Sequence, residues 1–253
     1  MQDWKEYVEQ TILDGTTYTG NKDANKRIFS ESMLSNDMLQ NFLKFKYGSQ
    51  PSKAFSAATF GSVFHIGAEE IFKNQPNCET ELPLSVELDN GWTISGMLDL
   101  VLHDYEIILD HKTTTATTIA KTKSEGRTSG YALQLGVYKY LLHAANSLDY
   151  SGALGFIDKT HSFFKQNKFN QLELMKVPTY SHNEIEDKLY TATNTLDEYI
   201  ELDQEPPRCK NLFPYKPKGG GRTKNMRCIH YCDNNINCSH YSEYNAMNNL
   251  LEL

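Results

Sequence analysis

Three things are scarce in this chain of 253 residues: long apolar runs, cysteine before position 209, and positive charge. No run approaches the roughly 18 consecutive apolar residues of a membrane-spanning helix, so we expect no membrane partner. The N-terminus, Met-Gln-Asp-Trp-Lys-Glu, lacks the apolar core of a signal peptide, which predicts an intracellular, cytoplasmic protein. The formal net charge of −7, taken alone, argues against non-specific binding to nucleic acid.

The apolar periodicity predicts an α/β fold. Apolar residues make up 39% of the chain, enough for a globular core without disulfides. We predict helices over about 2–13, 56–73, 131–146 and 181–202, together with one that Ser35 caps and that ends just before Gly48. Strands are predicted near 82–88, 92–103, 105–112, 152–158 and 171–177, with a loop between residues 112 and 131. This order indicates one domain over residues 1–205 and a tail over residues 206–253 that packs on it.

Cysteine is concentrated near the end of the chain. Cys78 stands alone, and the other four share one segment with the spacing C-x18-C-x3-C-x5-C: Cys209, Cys228, Cys232 and Cys238. In an intracellular chain such a cluster indicates metal binding rather than disulfides. Four thiolates suit a tetrahedral zinc site or an iron–sulfur cluster, and the nearby His230 and His240 leave a mixed site open.

A basic segment interrupts the acidic chain. It contains seven cations and no acidic residue: Arg208, Lys210, Lys216, Lys218, Arg222, Lys224 and Arg227. Pro214, Pro217 and the three glycines at 219–221 predict a loop. The segment is consistent with a solvated loop or with a local contact for an anion.

Two aspartates in neighbouring predicted strands are the first sign of a reactive site. A two-residue turn at Asp104 and Tyr105 would place Asp99 opposite Asp110, with their Cβ atoms about 5 Å apart on one sheet face. Lys112 would point to the same face, because side chains alternate along a strand. Two carboxylates so close repel each other unless a cation lies between them. The pairing therefore predicts Mg²⁺ or Mn²⁺ with oxygen ligands.

Two predicted helices add polar residues at helical spacing. Gly61, His65 and Glu69 follow one another at intervals of four and share a helix face. Gln134 and Tyr138 lie one turn apart on a later helix. Taken singly, His65 is also typical of a half-buried core histidine, and the other pair of the polar edge of a packed helix.

These residues form four motifs in order: Gly61-x-x-x-His65, Gly96-x-x-Asp99, Asp110-x-Lys112 and Gln134-x-x-x-Tyr138. The set resembles the RecB-like branch of the PD-(D/E)xK nucleases, which is known for GxxxH, GxxD, DxK and QxxxY. The resemblance covers about 80 residues. The context Asp110-His111-Lys112-Thr113-Thr114 and the early Ser30-Glu31-Ser32-Met33-Leu34 are also similar to the phage-type exonuclease VIII group.

The resemblance implies a restriction-endonuclease-like core, with a central mixed β-sheet flanked by helices, and Mg²⁺-dependent hydrolysis of DNA. It implies that one or two Mg²⁺ or Mn²⁺ ions are held by His65, Asp99, Asp110 and the backbone carbonyl of His111. Lys112 would orient the attacking water or help to deprotonate it.

The accessory residues follow from the same resemblance. Gln134 and Tyr138 would position the DNA backbone or buttress the site, and Glu69 would be an outer partner of His65 or an extra ligand. With DNA as the substrate, the residues expected to contact phosphates are Lys216, Lys218, Arg222, Lys224 and Arg227. A single-strand annealing protein is the partner expected by resemblance, and an oligomer is left open because related exonucleases form rings.

Some members of this branch carry an iron–sulfur cluster, held by one cysteine before the nuclease core and three after it in the spacing C-x2-C-x5-C. Cys228-x3-Cys232-x5-Cys238 is similar, with one extra residue. No cysteine precedes Gly61, so Cys209 is the expected fourth ligand. The resemblance favours an iron–sulfur cluster, and zinc is the alternative.

Three functions are compatible with these features. The first is an exonuclease that acts in DNA recombination, repair or replication, and its source could be a phage. The second is a structure-specific endonuclease of the same fold. The third is a DNA-binding module that has lost activity, against which the complete set of motif residues argues.

Overall fold

The computed structural model describes residues 24–48, 55–158, 172–210, 214–215, 224–225, 232, 234 and 237–241. For residues 55–60, 214–215 and 224–225 only the backbone is described. The contacts divide the chain into two compact units. The sheet unit comprises Ile28–Ser35 and Phe60–Thr193, and the terminal unit comprises Met1–Arg27, Asn36–Thr59 and Asn194–Leu253.

Eight strands and five α-helices are described. The strands are β1 (Ile28–Ser30), β2 (Cys78–Glu87), β3 (Thr93–Leu102), β4 (Ile107–Thr114), β5 (Ser151–Asp158), β6 (Leu172–Lys176), β7 (Pro214–Tyr215) and β8 (Lys224–Asn225). The helices are α1 (Met38–Tyr47), α2 (Phe55–Phe72), α3 (Ala116–Glu125), α4 (Gly130–Asn146) and α5 (His182–Glu201).

The sheet unit is built on a six-stranded mixed sheet in which β3 is central. Strand β2 pairs antiparallel with β3 from Cys78 to Glu87, with one interruption at Glu81. The opposite edge of β3 is shared: parallel β1 pairs with Thr93–Ser95, and antiparallel β4 pairs with Leu100–Leu102. Strand β5 then adds parallel to β4, and β6 adds antiparallel to β5. Parallel and antiparallel pairs in one sheet confirm the predicted mixed α/β fold.

Helices cover both faces of this sheet. On one face, buried residues of α4 pack on buried sheet residues such as Leu98, Ile108 and Phe156. On the other face, Phe72 of α2 packs against a smaller cluster that includes Leu100. At about 25 cal/mol per Å² of apolar surface removed from water, these contacts are what hold the helices to the sheet.

The terminal unit contains α1 and the tail that carries Cys209, Cys232 and Cys238. Lys46 Nζ lies 2.7 Å from Asp203 Oδ1, and the buried Asn234 side chain donates to the Gly48 carbonyl at 3.0 Å. The short strands β7 and β8 pair antiparallel with each other. Within the described ranges, no helix combines the length and the apolar composition needed to cross a bilayer.

Two sequence predictions about the elements are wrong. Ser35 does not cap α1: it ends a 3-10 turn, its hydroxyl donates to the Ser32 carbonyl, and Asp37 holds the cap position. The predicted loop between residues 112 and 131 contains α3, because the Thr115 hydroxyl accepts the Thr118 N–H and caps a helix there. The helix predicted over 2–13 lies outside the described residues.

Candidate functional site

The candidate site lies where β3 passes from one partner strand to the next. Between Ser95, the last residue paired with β1, and Leu100, the first paired with β4, this edge of β3 has no described strand partner. Gly96 lies in this gap. A Cβ atom on Gly96 would stand 2.9 Å from Leu141 Cδ1 and 3.1 Å from Tyr138 Cε1, so only glycine lets α4 approach so closely.

The register predicted for β3 and β4 is confirmed over three pairs, from Leu100 with Leu109 to Leu102 with Ile107. Asp99 comes just before these pairs. Its Oδ2 accepts the backbone N–H of His111 at 2.7 Å. The carboxylate of Asp99 is therefore tied to β4 one residue beyond Asp110.

Asp110 carries the most buried carboxylate of the site, with 1% of its side chain exposed. Its Oδ1 accepts from Lys112 Nζ at 2.7 Å. Its Oδ2 is buried and has no hydrogen-bond partner in the described part of the chain. A buried oxygen in this state costs free energy unless something satisfies it, so Asp110 Oδ2 marks where a further group would bind.

Helix α2 brings His65 to the same place. His65 Nδ1 lies 3.5 Å from Asp99 Oδ2, and its ring stands edge-to-face with that of His111 at 6.1 Å between centroids. A hydrogen bond also joins His65 to the backbone of His111. The structure thus gathers His65, Asp99 and the Asp110–Lys112 segment, which are the residues predicted as ligands and catalytic groups.

One residue of this group, Glu81, is missed by the sequence motifs. Its Oε1 lies 4.0 Å from His65 Nδ1, and ligand atoms of His65, Glu81 and Asp99 all lie within 4.8 Å of one another. In the β2–β3 register the flanking pairs are Leu82 with Leu98 and Thr80 with Leu100, so Glu81 stands opposite Asp99. The sequence does hold a signal for this placement. The hairpin at residues 89–91 sets the register of β2 against β3, and that register places Glu81 opposite Asp99.

The charges of the site perturb its titrations. Burial and the neighbouring Asp110 raise the pKa of Asp99 from 3.8 to about 7. Burial alone would lower the pKa of Lys112, but Asp110 and Asp99 outweigh it and the pKa lies above its usual value. Burial and His65 lower the pKa of His111 to about 4. The site therefore holds more negative charge than one lysine compensates, which favours a cation.

The accessory residues occupy two different positions. Gln134 Nε2 donates to the Tyr138 hydroxyl at 2.9 Å, and Tyr138 is buried against Gly96 with 2% of its surface exposed. Glu69 is half-buried on α2. The pKa of Glu81 is raised first by the burial of Glu81 itself and second by the negative charge of Glu69. Gln134 and Tyr138 thus lie behind the site, and Glu69 lies at its acidic edge.

The tail residues are only partly described. Cys209 and Cys232 are half-buried, Cys238 is buried, and these three are not in disulfides. Cys228 lies outside the described residues, as do Lys216, Lys218, Arg222 and Arg227, and only the backbone of Lys224 is described. The predicted cysteine cluster and phosphate-contacting loop therefore stay predictions.

A model of the PD-(D/E)XK nuclease superfamily matches residues 77–238. The matched stretch includes Asp99, Asp110 and Lys112 and extends to Cys238. No curated protein has a significantly similar sequence.

One solved structure shows the same fold, and two others align less closely. The chain resembles SSO0001 with a TM-score of 0.55 and 18% identity, over 93% of this chain and 95% of that one. An alkaline exonuclease from Laribacter hongkongensis aligns with a TM-score of 0.45 and 12% identity, over 70% of this chain and 92% of the other. A phage-related exonuclease from Haemophilus somnus aligns with a TM-score of 0.39 and 16% identity, over 68% and 81%.

Proposed function

The chain belongs to the PD-(D/E)XK nuclease superfamily, and we propose that it is a divalent-metal-dependent deoxyribonuclease that hydrolyses DNA phosphodiester bonds. The observation that carries the proposal is the convergence of Asp99, Asp110 and Lys112 around a buried carboxylate oxygen without a partner in the described residues. An inactive DNA-binding module would have no use for such a costly arrangement.

The donor set suits a hard divalent cation. His65, Asp99, Asp110 and the backbone carbonyl of His111 would hold Mg²⁺ or Mn²⁺, since carboxylate and carbonyl oxygens are the ligands these ions prefer. When bound, the cation would lower the pKa of a water molecule and offset negative charge on the scissile phosphate. Two features fit this occupant: Asp110 Oδ2 has no partner among the described residues, and the pKa of Asp99 is raised.

Lys112 acts as a positioned cation in this proposal. Its Nζ is held by Asp110 Oδ1 and lies 5.9 Å from the centre of the Tyr131 ring. Because its pKa is raised, Lys112 stays protonated at neutral pH. Lys112 would orient the attacking water or the phosphate by hydrogen bonds, or help to deprotonate the water once a bound cation offsets the two carboxylates that raise its pKa.

Gln134 and Tyr138 buttress the site. Tyr138 is too buried to touch DNA, and it packs on Gly96, three residues before Asp99. The hydrogen bond from Gln134 holds the Tyr138 hydroxyl in place. The pair would keep β3 positioned so that Asp99 reaches His111.

The tail would hold a second, structural metal. We propose an iron–sulfur cluster on Cys209, Cys228, Cys232 and Cys238, with zinc as the alternative, and this metal would fix the basic loop for contact with DNA. The support is the cysteine spacing, together with the seven cations between Arg208 and Arg227. An acidic chain would then meet DNA at this loop and at the metal-loaded site.

The resemblance to the exonuclease VIII group favours an exonuclease used in recombination, repair or replication. A single-strand annealing protein would be its partner. A structure-specific endonuclease is the other candidate, and closed circular DNA separates the two, because an exonuclease spares a molecule without ends.

The test is cleavage of end-labelled linear single-stranded and duplex DNA with Mg²⁺ and with chelator. Asp110→Asn and Lys112→Gln should abolish Mg²⁺-dependent cleavage while circular dichroism shows a folded protein. The matched controls Asp187→Asn and Lys176→Gln change exposed residues and should cleave like the parent. Cleavage by both site variants at the parental rate would overturn the assignment.

A further inference from the structure

Glu81 lies in an interruption of an otherwise regular strand pair. Residues on both sides of Glu81 pair with β3, but Glu81 and Asp99 do not appear as a ladder pair. The backbone of Glu81 has φ +48, in the left-handed region that residues other than glycine rarely adopt. Such a conformation costs on the order of 1–3 kcal/mol and persists where the surrounding structure imposes it.

The interruption leaves the Glu81 carboxylate close to two other potential ligands. His65 Nδ1 lies 3.5 Å from Asp99 Oδ2 and 4.0 Å from Glu81 Oε1. Ligands of an octahedral Mg²⁺ or Mn²⁺ ion with bonds of about 2.1 Å are roughly 3–4.2 Å apart. Both distances from His65 fall in this range, and the ligand atoms of all three side chains lie within 4.8 Å of one another.

Negative charge accumulates around Glu81. Within the described ranges, Glu81 forms its ion-pair contact with His65 and none with a lysine or arginine. Asp99 and Glu69 add further negative charge nearby. A cluster of acids is not by itself a site, but the adjoining Asp110 is 1% exposed and its Oδ2 has no described partner. Because the charge of Asp110 acts on both Asp99 and His65, that buried oxygen is an independent sign that a cation binds beside these two members of the group.

We propose that Glu81 is a further metal ligand of the nuclease site, and that with His65 and Asp99 it holds a divalent cation, Mg²⁺ or Mn²⁺. The inference rests on the proposed metal-dependent nuclease function and assigns to it a residue outside the four sequence motifs. The alternative role of Glu81 is to orient His65 without touching the ion.

The direct test measures Mn²⁺ binding without DNA, by calorimetry and electron paramagnetic resonance, on the full chain. Glu81→Gln should weaken Mn²⁺ binding at least about tenfold, because even partners outside the ligand set contribute about 10–100-fold. The matched control is Glu87→Gln, an exposed acid on the same strand, which should bind Mn²⁺ like the parent. Circular dichroism in chelator checks that both variants are folded.

A second variant separates a ligand from an orienting residue. Glu81→Cys replaces a hard oxygen by a soft sulfur, so the ratio of Cd²⁺-supported to Mn²⁺-supported cleavage should rise at least about tenfold. Glu87→Cys controls for an added thiol and should leave the ratio unchanged. An orienting role of Glu81 predicts no change in the ratio for either variant.

The outcomes also separate this inference from the proposed function. If the parent neither binds Mn²⁺ nor cleaves DNA, both fail. If the parent does both, and Glu81→Gln binds Mn²⁺ with parental affinity or Glu81→Cys shows no shift toward Cd²⁺, only the assignment of Glu81 fails.

Discussion

The Oδ2 atom of Asp99 accepts the backbone N–H of His111 at 2.7 Å, so a side chain of β3 is hydrogen-bonded to the backbone of β4. This contact sets the positions of the two acidic residues. It holds Asp99 close to Asp110, whose Oδ2 has no partner in the described residues. The cost of this arrangement is the basis of the first prediction.

Asp99→Asn should stabilise the metal-free protein at high pH while removing nuclease activity. The folded-state pKa of Asp99, about 7, lies above its ordinary value of 3.8. Folding therefore favours the protonated form, and stability is lost as pH rises from about 4 to 7. Asparagine keeps an oxygen for the His111 N–H but carries no charge.

Chemical denaturation in chelator measures this effect. At about pH 8 the variant should exceed the parent by roughly 2–4 kcal/mol, since each pKa unit corresponds to about 1.4 kcal/mol. The difference should disappear below about pH 4, where the parent is protonated too. Added Mg²⁺ should stabilise the parent more than the variant. A gain that is equal at all pH values would contradict the electrostatic explanation.

Gly96→Ala should destabilise the protein and displace Tyr138. The new methyl group would meet Leu141 at 2.9 Å and the Tyr138 ring at 3.1 Å. Overpacking of this kind costs about 1–3 kcal/mol in unfolding free energy. Gly67→Ala is the control, because no atom of the described residues lies within 4 Å of its Cβ position and alanine favours a helix. Chemical denaturation should show a lower unfolding free energy for Gly96→Ala and a higher one for Gly67→Ala than for the parent. Equal changes in both variants would refute the close approach at Gly96.

The purified protein should contain metal at its tail cysteines. Brown protein with iron and sulfide would identify a cluster, and colourless protein with zinc would identify the alternative. Cys232→Ser should lose this metal. Cys78 packs with the core cluster around Leu100, so the Cys78→Ser variant should retain the metal. Metal-free protein with an intact tail would eliminate both versions of the proposal.

The basic loop should make DNA binding depend on salt. The DNA association constant K falls as salt rises, so the slope of log K against log salt is negative. Replacing Lys216, Lys218 and Arg222 with glutamine should make this slope shallower, by about 0.7–0.9 for each phosphate that the loop no longer neutralises. Binding is measured by fluorescence anisotropy in chelator, so that cleavage does not interfere. The triple substitution should leave the Mn²⁺ affinity of the nuclease site unchanged. An unaltered slope would place the DNA contact elsewhere.

Part of the fold could be predicted because its causes are local. The hairpin at residues 89–91 and the turn at Asp104 and Tyr105 determine strand register over short distances, and the structure has both registers. Helix α3 could not be predicted in this way. Its threonines have low helix propensity, and it depends on burial of Ile119 in the main core and on the cap at Thr115.

The sequence by itself determined the family and the order of the four motifs. It also determined that Asp99 lies on the edge of β3 that faces β4. These follow from residue identity, side-chain alternation and turn geometry, all of which act between near neighbours. Only the tertiary structure decided that His65 reaches Asp99, that Asp110 Oδ2 is buried without a partner in the described residues and that Glu81 joins them. The hairpin register places Glu81 opposite Asp99, but it does not specify the left-handed backbone of Glu81. The contacts with His65 and the burial of Asp110 depend on how α2 and α4 pack on the sheet, which no local pattern specifies.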